Sequence, residues 1–133
     1  MIRITRKVEF SASHVYHNPA FSAEENRRVF GKCNNPHGHG HNYVVEVTLG
    51  GPVDEVTGMV CDLGELDCFA QTNLLERFDH MNLNTLSEFR DVVSSTENFT
   101  IEVYRIFEGF PGATLQRVRI EETANNSFEY AGE

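Results

Sequence analysis

His39-Gly40-His41-Asn42-Tyr43-Val44-Val45-Glu46-Val47-Thr48-Leu49 is the stretch from which the fold can be read. Residues His39, His41, Tyr43, Val45, Val47 and Leu49 recur at period two, the repeat of a strand that turns one face to a core. Gly50, Gly51 and Pro52 stop the run. Histidines two apart on such a strand project to the same side, with Cα atoms about 6.5 Å apart, and can converge on one ion. A pair of histidines between glycines, at strand phase, is hard to explain as packing.

Neutral imidazoles are the commonest zinc ligands, and a catalytic zinc site keeps three protein ligands and one open position. A third histidine is therefore wanted from a neighbouring strand. Residues Ile2 to Ala12 carry β-formers, and Val8, Phe10, Ala12 and His14 are in phase, so a first strand delivers His14 near its end. The predicted metal ligands are His14, His39 and His41. His37 follows Pro36 ahead of the strand and is assigned to the surface or to the surroundings of the metal, and His17 is assigned an ordinary hydrogen-bonded role. Between the two strands, Ser22 and Glu25 form a capping box for a short helix, Ala23 to Phe30, ended by Gly31.

Downstream, Asp62 and Glu65 form a second capping box, and Leu66, Phe69, Ala70, Asn73 and Leu74 continue at helical spacing to about Arg77. Thr96 is the predicted N-cap of a helix over Glu97 to Phe107, with Ile101, Tyr104 and Phe107 facing a core before Gly109 and Pro111. Leu115 to Glu121 and Ser127 to Tyr130 then read as a closing hairpin around Asn125 and Asn126. The expected fold is α+β: an antiparallel four-stranded sheet with two helices on one face. Its open edges call for pairing with other copies of the chain, so an oligomer is expected.

The chain's 133 residues, 40% of them hydrophobic, suit one domain with a single core, here residues 1–133. No apolar run reaches the roughly 18 residues of a membrane span and MIRITRKVEF lacks a secretory pattern, so a cytoplasmic protein with no membrane partner is expected. Three cysteines, Cys33, Cys61 and Cys68, argue for reduced thiols over a disulfide framework. With 11 Lys+Arg against 20 Asp+Glu, the net charge of −9 repels a phosphate backbone and disfavours nucleic acid as a partner. Two basic clusters, Arg3/Arg6/Lys7 and Arg27/Arg28/Lys32, still leave room for a small anionic substrate, though most of these six are expected to be solvated.

Cys33, six residues before His39, suits either of two roles: a fourth ligand closing a structural site, or a thiolate base beside the metal. Asp79-His80 has the makings of a proton relay, or of a plain helix-end cap. Glu121 and Glu122 end an apolar strand, where one carboxylate can take a bidentate donor such as an amino-pyrimidine edge; paired acids at a strand end are ordinarily solvated.

The chain resembles the 6-pyruvoyl-tetrahydropterin synthase family from about Arg6 to Gly132. The resemblance runs through Phe10-Ser11-Ala12-Ser13-His14, Glu25-Asn26-Arg27-Arg28, Phe30-Gly31-Lys32-Cys33-Asn34-Asn35-Pro36, Gly38-His39-Gly40-His41-Asn42-Tyr43, Asp79-His80, Ser95-Thr96-Glu97-Asn98 and Glu122-Thr123. It implies the T-fold (ββααββ), whose trimers close a β-barrel and stack into a hexamer with active sites between subunits. It implies zinc on His14, His39 and His41, a catalytic group of Cys33, Asp79 and His80, and a pterin anchored by Glu122 in a pocket lined by Thr96 and Glu97. Three departures stand out: His37 where the family usually has Asn, Ser95 where Thr is frequent, and Ala124 where Asp commonly follows Glu-Thr. None removes a ligand or the thiol.

The implied reaction is a lyase step on 7,8-dihydroneopterin triphosphate, eliminating triphosphate with tautomerisation of the side chain. It needs no redox cofactor; magnesium can accompany the triphosphate. Two alternatives compete. The related 6-carboxytetrahydropterin synthases of queuosine biosynthesis have three residues between the cysteine and His-Gly-His, against five here, although His37-Gly38-His39 also fits the shorter register. The other is a non-catalytic zinc- or pterin-binding module in which Cys33 closes the coordination sphere.

Overall fold

The computed structural model describes residues 1–133. Two long strands, β1 (Ile2–His14) and β2 (His39–Gly51), pair antiparallel in unbroken register from Ile2↔Gly51 to His14↔His39. The connection between them holds α1 (Ala23–Phe30) and a 3-10 turn over Gly31–Asn34. After β2 come α2 (Leu63–Ala70), a π turn at Gln71–Leu75, α3 (Glu76–Phe78) and β3 (Met81–Asn82). Then follow α4 (Thr96–Glu108), β4 (Thr114–Thr123) and β5 (Asn126–Tyr130), and the sheet order is β3-β1-β2-β4-β5.

The alternation in β2 does what its period requires. Tyr43, Val45, Val47 and Leu49 are fully buried against the helices. Leu66, Ala70 and Leu74 from the α2 segment and Phe99, Val103, Tyr104 and Phe107 from α4 close the core over them. Phe99 is central, with its ring 5.2–6.0 Å from those of Phe10, Tyr43, Phe78 and Phe89. The opposite face of the sheet is polar: Lys7, Glu46, Arg119 and Glu129 stand in line across β1, β2, β4 and β5. Charges of alternating sign on neighbouring strands attract, and Arg119 is ion-paired with Glu46. That face is built for water or polar surroundings, not for a second apolar layer.

Four points differ from the sequence expectations. The sheet has five strands, not four: His80 takes a left-handed φ of 61° and its N–H donates to Ser11 O at 2.6 Å, laying Met81–Asn82 parallel to β1. A two-residue strand leaves no periodic signal. The N-cap of α4 is Ser95, whose Oγ accepts from Asn98 N–H at 3.2 Å, and Thr96 is the first helical residue. The buried face of α4 is Thr96, Phe99, Thr100, Val103, Tyr104 and Phe107, so Tyr104 and Phe107 face the core as expected and Ile101 is only half-buried. In the closing hairpin Asn126 belongs to β5, paired with Thr123, and the turn is Ala124-Asn125.

The cap assignment is open to measurement. S95A is expected to cost about 1 kcal/mol in urea unfolding, the usual value of a lost N-cap. T96A will differ in kind, because the Thr96 side chain points away from the helix start and into the site described next.

Candidate metal centre

His39 lies directly across from His14 in the β1–β2 ladder, and His41 is opposite Ala12. Strand pleat therefore sends all three imidazoles to the helix side of the sheet. Their ligand nitrogens lie within 4.8 Å of one another, with His14 buried and His39 and His41 half-buried. The flanking glycines have a steric reason. Gly38 has φ +71°, and a Cβ there would lie 3.0 Å from the His14 carbonyl oxygen. Only glycine brings the start of β2 so close to the end of β1.

His14 Nδ1 lies 2.7 Å from the Ser94 carbonyl oxygen. A carbonyl only accepts, so Nδ1 carries the proton and Nε2 presents its lone pair to the centre. His14 Nε2 and His39 Nε2 are 3.0 Å apart, and His41 Nε2 is buried without a hydrogen-bond partner. An orphaned buried nitrogen beside two others is costly unless a cation receives their lone pairs. The donor set thus fits a metal ion that accepts imidazoles.

Burial lowers the His14 pKa to about 4, outweighing the bond to Ser94. Burial also lowers His41, against the opposing pull of Glu122. Both rings are thus held neutral, the form that ligates.

Glu122 stands beside the triad, its Oε2 3.8 Å from His41 Nε2. Glu122 continues the alternation of the buried Val118 and Ile120, so the pleat of β4 directs it to the helix side, where His41 lies. Thr96 Oγ1 donates to Glu122 Oε2, and Asn126 Nδ2 donates to Oε1 at 3.1 Å. Burial raises the Glu122 pKa, but the bonds from Thr96 and Asn126, with His41 and His14 nearby, outweigh it and keep the carboxylate ionised below its ordinary value.

The remaining predicted residues lie around this centre. Cys33 is half-buried in the 3-10 turn, and its sulfur is not among the clustered donor atoms. Its carbonyl accepts from Tyr16 N–H at 2.8 Å, and the Tyr16 ring sits 5.0 Å from that of His14. His37 is exposed and outside the cluster. Asp79 Oδ1 accepts from His80 Nδ1 at 2.7 Å and from Ser11 N–H at 3.2 Å, so the pair is formed and tied to β1. Neither residue bonds to the three histidines. His80 is exposed and borders an open groove with Ser11, Ser13, His41 and Asn42. A second groove, on the other side of His41, is lined by Glu121, Glu122 and Thr123. Thr96 is buried, whereas Glu97 is exposed at the start of α4.

Sequence reasoning missed Ser94, Asn126 and Tyr43. Tyr43 continues the period-two series of His39 and His41, and its ring lies 5.6 Å from that of His41 with its hydroxyl buried and unpartnered. Ser94 acts through its carbonyl, which no side-chain pattern reveals.

Fold and site together define an α+β protein with a three-histidine group, able to hold a metal ion, at the end of its first hairpin. The family profile described as 6-pyruvoyl tetrahydropterin synthase matches residues 3–133. The human 6-pyruvoyl tetrahydrobiopterin synthase is 42% identical over 133 residues, covering 98% of this chain and 92% of the relative. The Poecilia reticulata protein of the same name is 45% identical over 132 residues, covering 98% and 90%. The solved structure of Caenorhabditis elegans 6-pyruvoyl tetrahydropterin synthase superposes with a TM-score of 0.94 at 40% identity, covering 99% of this chain and 96% of that one. The chain belongs to the 6-pyruvoyl tetrahydropterin synthase family.

Proposed function

We propose that this chain is a zinc-dependent lyase that converts 7,8-dihydroneopterin triphosphate to 6-pyruvoyl-tetrahydropterin and triphosphate, a step of tetrahydrobiopterin biosynthesis. The observation that carries the reading is the convergence of His14, His39 and His41 beside an ionised Glu122, in a chain that matches this family over nearly its whole length.

Glu122 binds the amino-pyrimidine edge of the pterin: an ionised carboxylate offers two acceptors to two parallel N–H donors, and Thr96 and Asn126 hold it in one orientation. Glu97 lines the rim of the same pocket. His14, His39 and His41 hold zinc, which when bound supplies Lewis acidity toward the side-chain hydroxyls of the substrate. Cys33 takes a proton from the side chain as thiolate, and the electron pair left on carbon expels triphosphate. Asp79 orients His80, which moves protons during the tautomerisation to the dicarbonyl. Magnesium can accompany the triphosphate.

The chain works as one domain in a homohexamer, with trimers closing the sheets into a barrel. Two features support this. The outer strands β3 and β5 present unpaired backbone at both sheet edges. The Asp79-His80 pair makes no bond to Cys33 or to the histidines within the chain, as expected if a site draws on neighbouring subunits. No helix is long and apolar enough to cross a membrane, and we place the protein in the cytoplasm.

The test is incubation of zinc-loaded protein with 7,8-dihydroneopterin triphosphate and identification of products. The pyruvoyl compound with one equivalent of triphosphate is expected. Formation of 6-carboxytetrahydropterin with acetaldehyde would instead assign the chain the queuosine-pathway reaction. The exclusion of His37 from the cluster favours the pyruvoyl product, since the shorter cysteine-to-histidine register needs it as a ligand.

A further inference from the structure

The end of β1 is held by a side chain that none of the chemistry above uses. Asn84, in the 3-10 turn Leu83–Thr85, reaches across to Val15, the residue after His14. Its Oδ1 accepts from Val15 N–H at 2.8 Å and its Nδ2 donates to Val15 O at 2.9 Å. One amide thus satisfies both backbone groups of Val15, as a paired strand would. Ser94 joins this junction: its Oγ lies 3.0 Å from Asn84 Oδ1 and 3.2 Å from Val15 O, and its single proton serves those two acceptors. The carbonyl of the same buried Ser94 receives His14 Nδ1–H.

The chain of contacts therefore runs from Asn84 to Val15 and Ser94, and from both of these to His14. Val15 fixes where the β1 backbone ends, and Ser94 fixes which nitrogen of His14 carries the proton. We propose that Asn84 is a positioning residue for the metal centre, locking the tautomer and direction of His14 by clamping Val15 to Ser94. The inference rests on the reading of His14, His39 and His41 as metal ligands. A partner that orients a ligating histidine without touching the metal is worth about 10–100-fold in metal affinity. Asn84 also lies four residues after His80 on the same short segment, so the clamp ties the loop bearing the Asp79-His80 pair to the ligand at the end of β1.

Asn84 is itself exposed, so N84A opens no cavity in the core. Zinc affinity of the metal-free protein is measured by competition with a chromophoric chelator for wild type, N84A and S94A. N84A is expected to bind one zinc about tenfold or more weakly than wild type. In the metal-free protein, the proton on His14 Nδ1 is expected as a slowly exchanging ring N–H resonance in wild type and to be lost or broadened in N84A. A purely structural role would lower the unfolding midpoint and leave both readouts unchanged. Should N84A not fold, S94A carries the test: it retains the carbonyl to His14 but loses the hydroxyl link to Asn84, and severalfold weaker zinc binding is expected. Affinities within twofold of wild type, with the ring proton retained, overturn the assignment of Asn84 while leaving the metal centre intact. A wild-type protein that takes up no zinc overturns both.

Discussion

Cys33→Ala is expected to keep its zinc and lose its turnover. The thiol lies outside the cluster of donor atoms formed by the three histidines, so its removal deletes no ligand. The turn that carries it is held by backbone and neighbouring contacts: Cys33 O accepts from Tyr16 N–H at 2.8 Å, and Asn34 Nδ2 donates to Tyr16 O at 2.7 Å. Neither bond involves the sulfur, so the turn stays docked beside His14. A positioned proton acceptor contributes about 10²–10⁴-fold to a rate, and kcat is expected to fall by that amount with one zinc per chain retained. His41→Ala gives the opposite pattern. Residues that merely orient a ligand cost about 10–100-fold in metal affinity, so removing a ligand should cost more than about a hundredfold, with loss of turnover following loss of zinc. Metal content by atomic absorption, read beside steady-state kinetics, separates the two variants. A C33A protein that loses zinc and structure together would mark the thiol as closing a structural site and the chain as a non-catalytic binding module.

Acidification is expected to weaken the metal-free protein well before its carboxylates titrate. His14 has its pKa lowered by burial from 6.5 to about 4. Between those values the unfolded chain binds the proton and the folded chain does not, so stability rises with pH across that window and is fully present above 6.5. Falling from pH 6.5 to 4 therefore removes about 3 kcal/mol, at 1.36 kcal/mol per pH unit of difference. His41, also lowered, adds in the same direction. Glu122 is lowered below 4.5, so its contribution is lost at still more acid pH, as protonation reaches the folded carboxylate. Against a total of about 5–15 kcal/mol for an ordinary domain, 3 kcal/mol is a large share. Urea midpoints measured with a chelator at pH 7.5, 5.5 and 4.5 should fall steadily. Midpoints flat over that range would falsify the buried neutral state of His14. With zinc bound, protons compete for the nitrogen lone pairs only where the folded rings titrate, so zinc is expected to stay bound to lower pH than the window over which the metal-free protein weakens.

The two long strands, α1 and the α2 segment were legible because each is a local regularity. Alternation in β2 and the capping pairs Ser22/Glu25 and Asp62/Glu65 concern residues a few positions apart, and Ser22 and Asp62 cap as their patterns indicate. The N-cap of α4 was misplaced by one residue because Ser95 and Thr96 are both good caps, and the choice was made elsewhere. Thr96 is drawn to Glu122, 26 residues away, leaving Ser95 to serve the helix. The fifth strand was illegible for a related reason. Met81-Asn82 has no periodicity, and its pairing depends on the left-handed turn at His80 and the bond to Ser11.

Spacing along the chain by itself determined that β1 and β2 are strands and that His14, His39 and His41 can share a face, whereas the roles proposed for Cys33, Asp79-His80 and Glu122 came from the family resemblance. Tertiary structure alone decided the rest. The β1–β2 register brought His39, not His37, opposite His14. Thr96 and Asn126, from α4 and β5, fixed the carboxylate of Glu122 beside His41, and a carbonyl 80 residues away selected the nitrogen of His14 that faces the centre. The division has one physical cause. Side-chain direction repeats with backbone geometry and is written locally, whereas partners for a buried nitrogen or carboxylate are set by whatever distant backbone the packed core delivers to it.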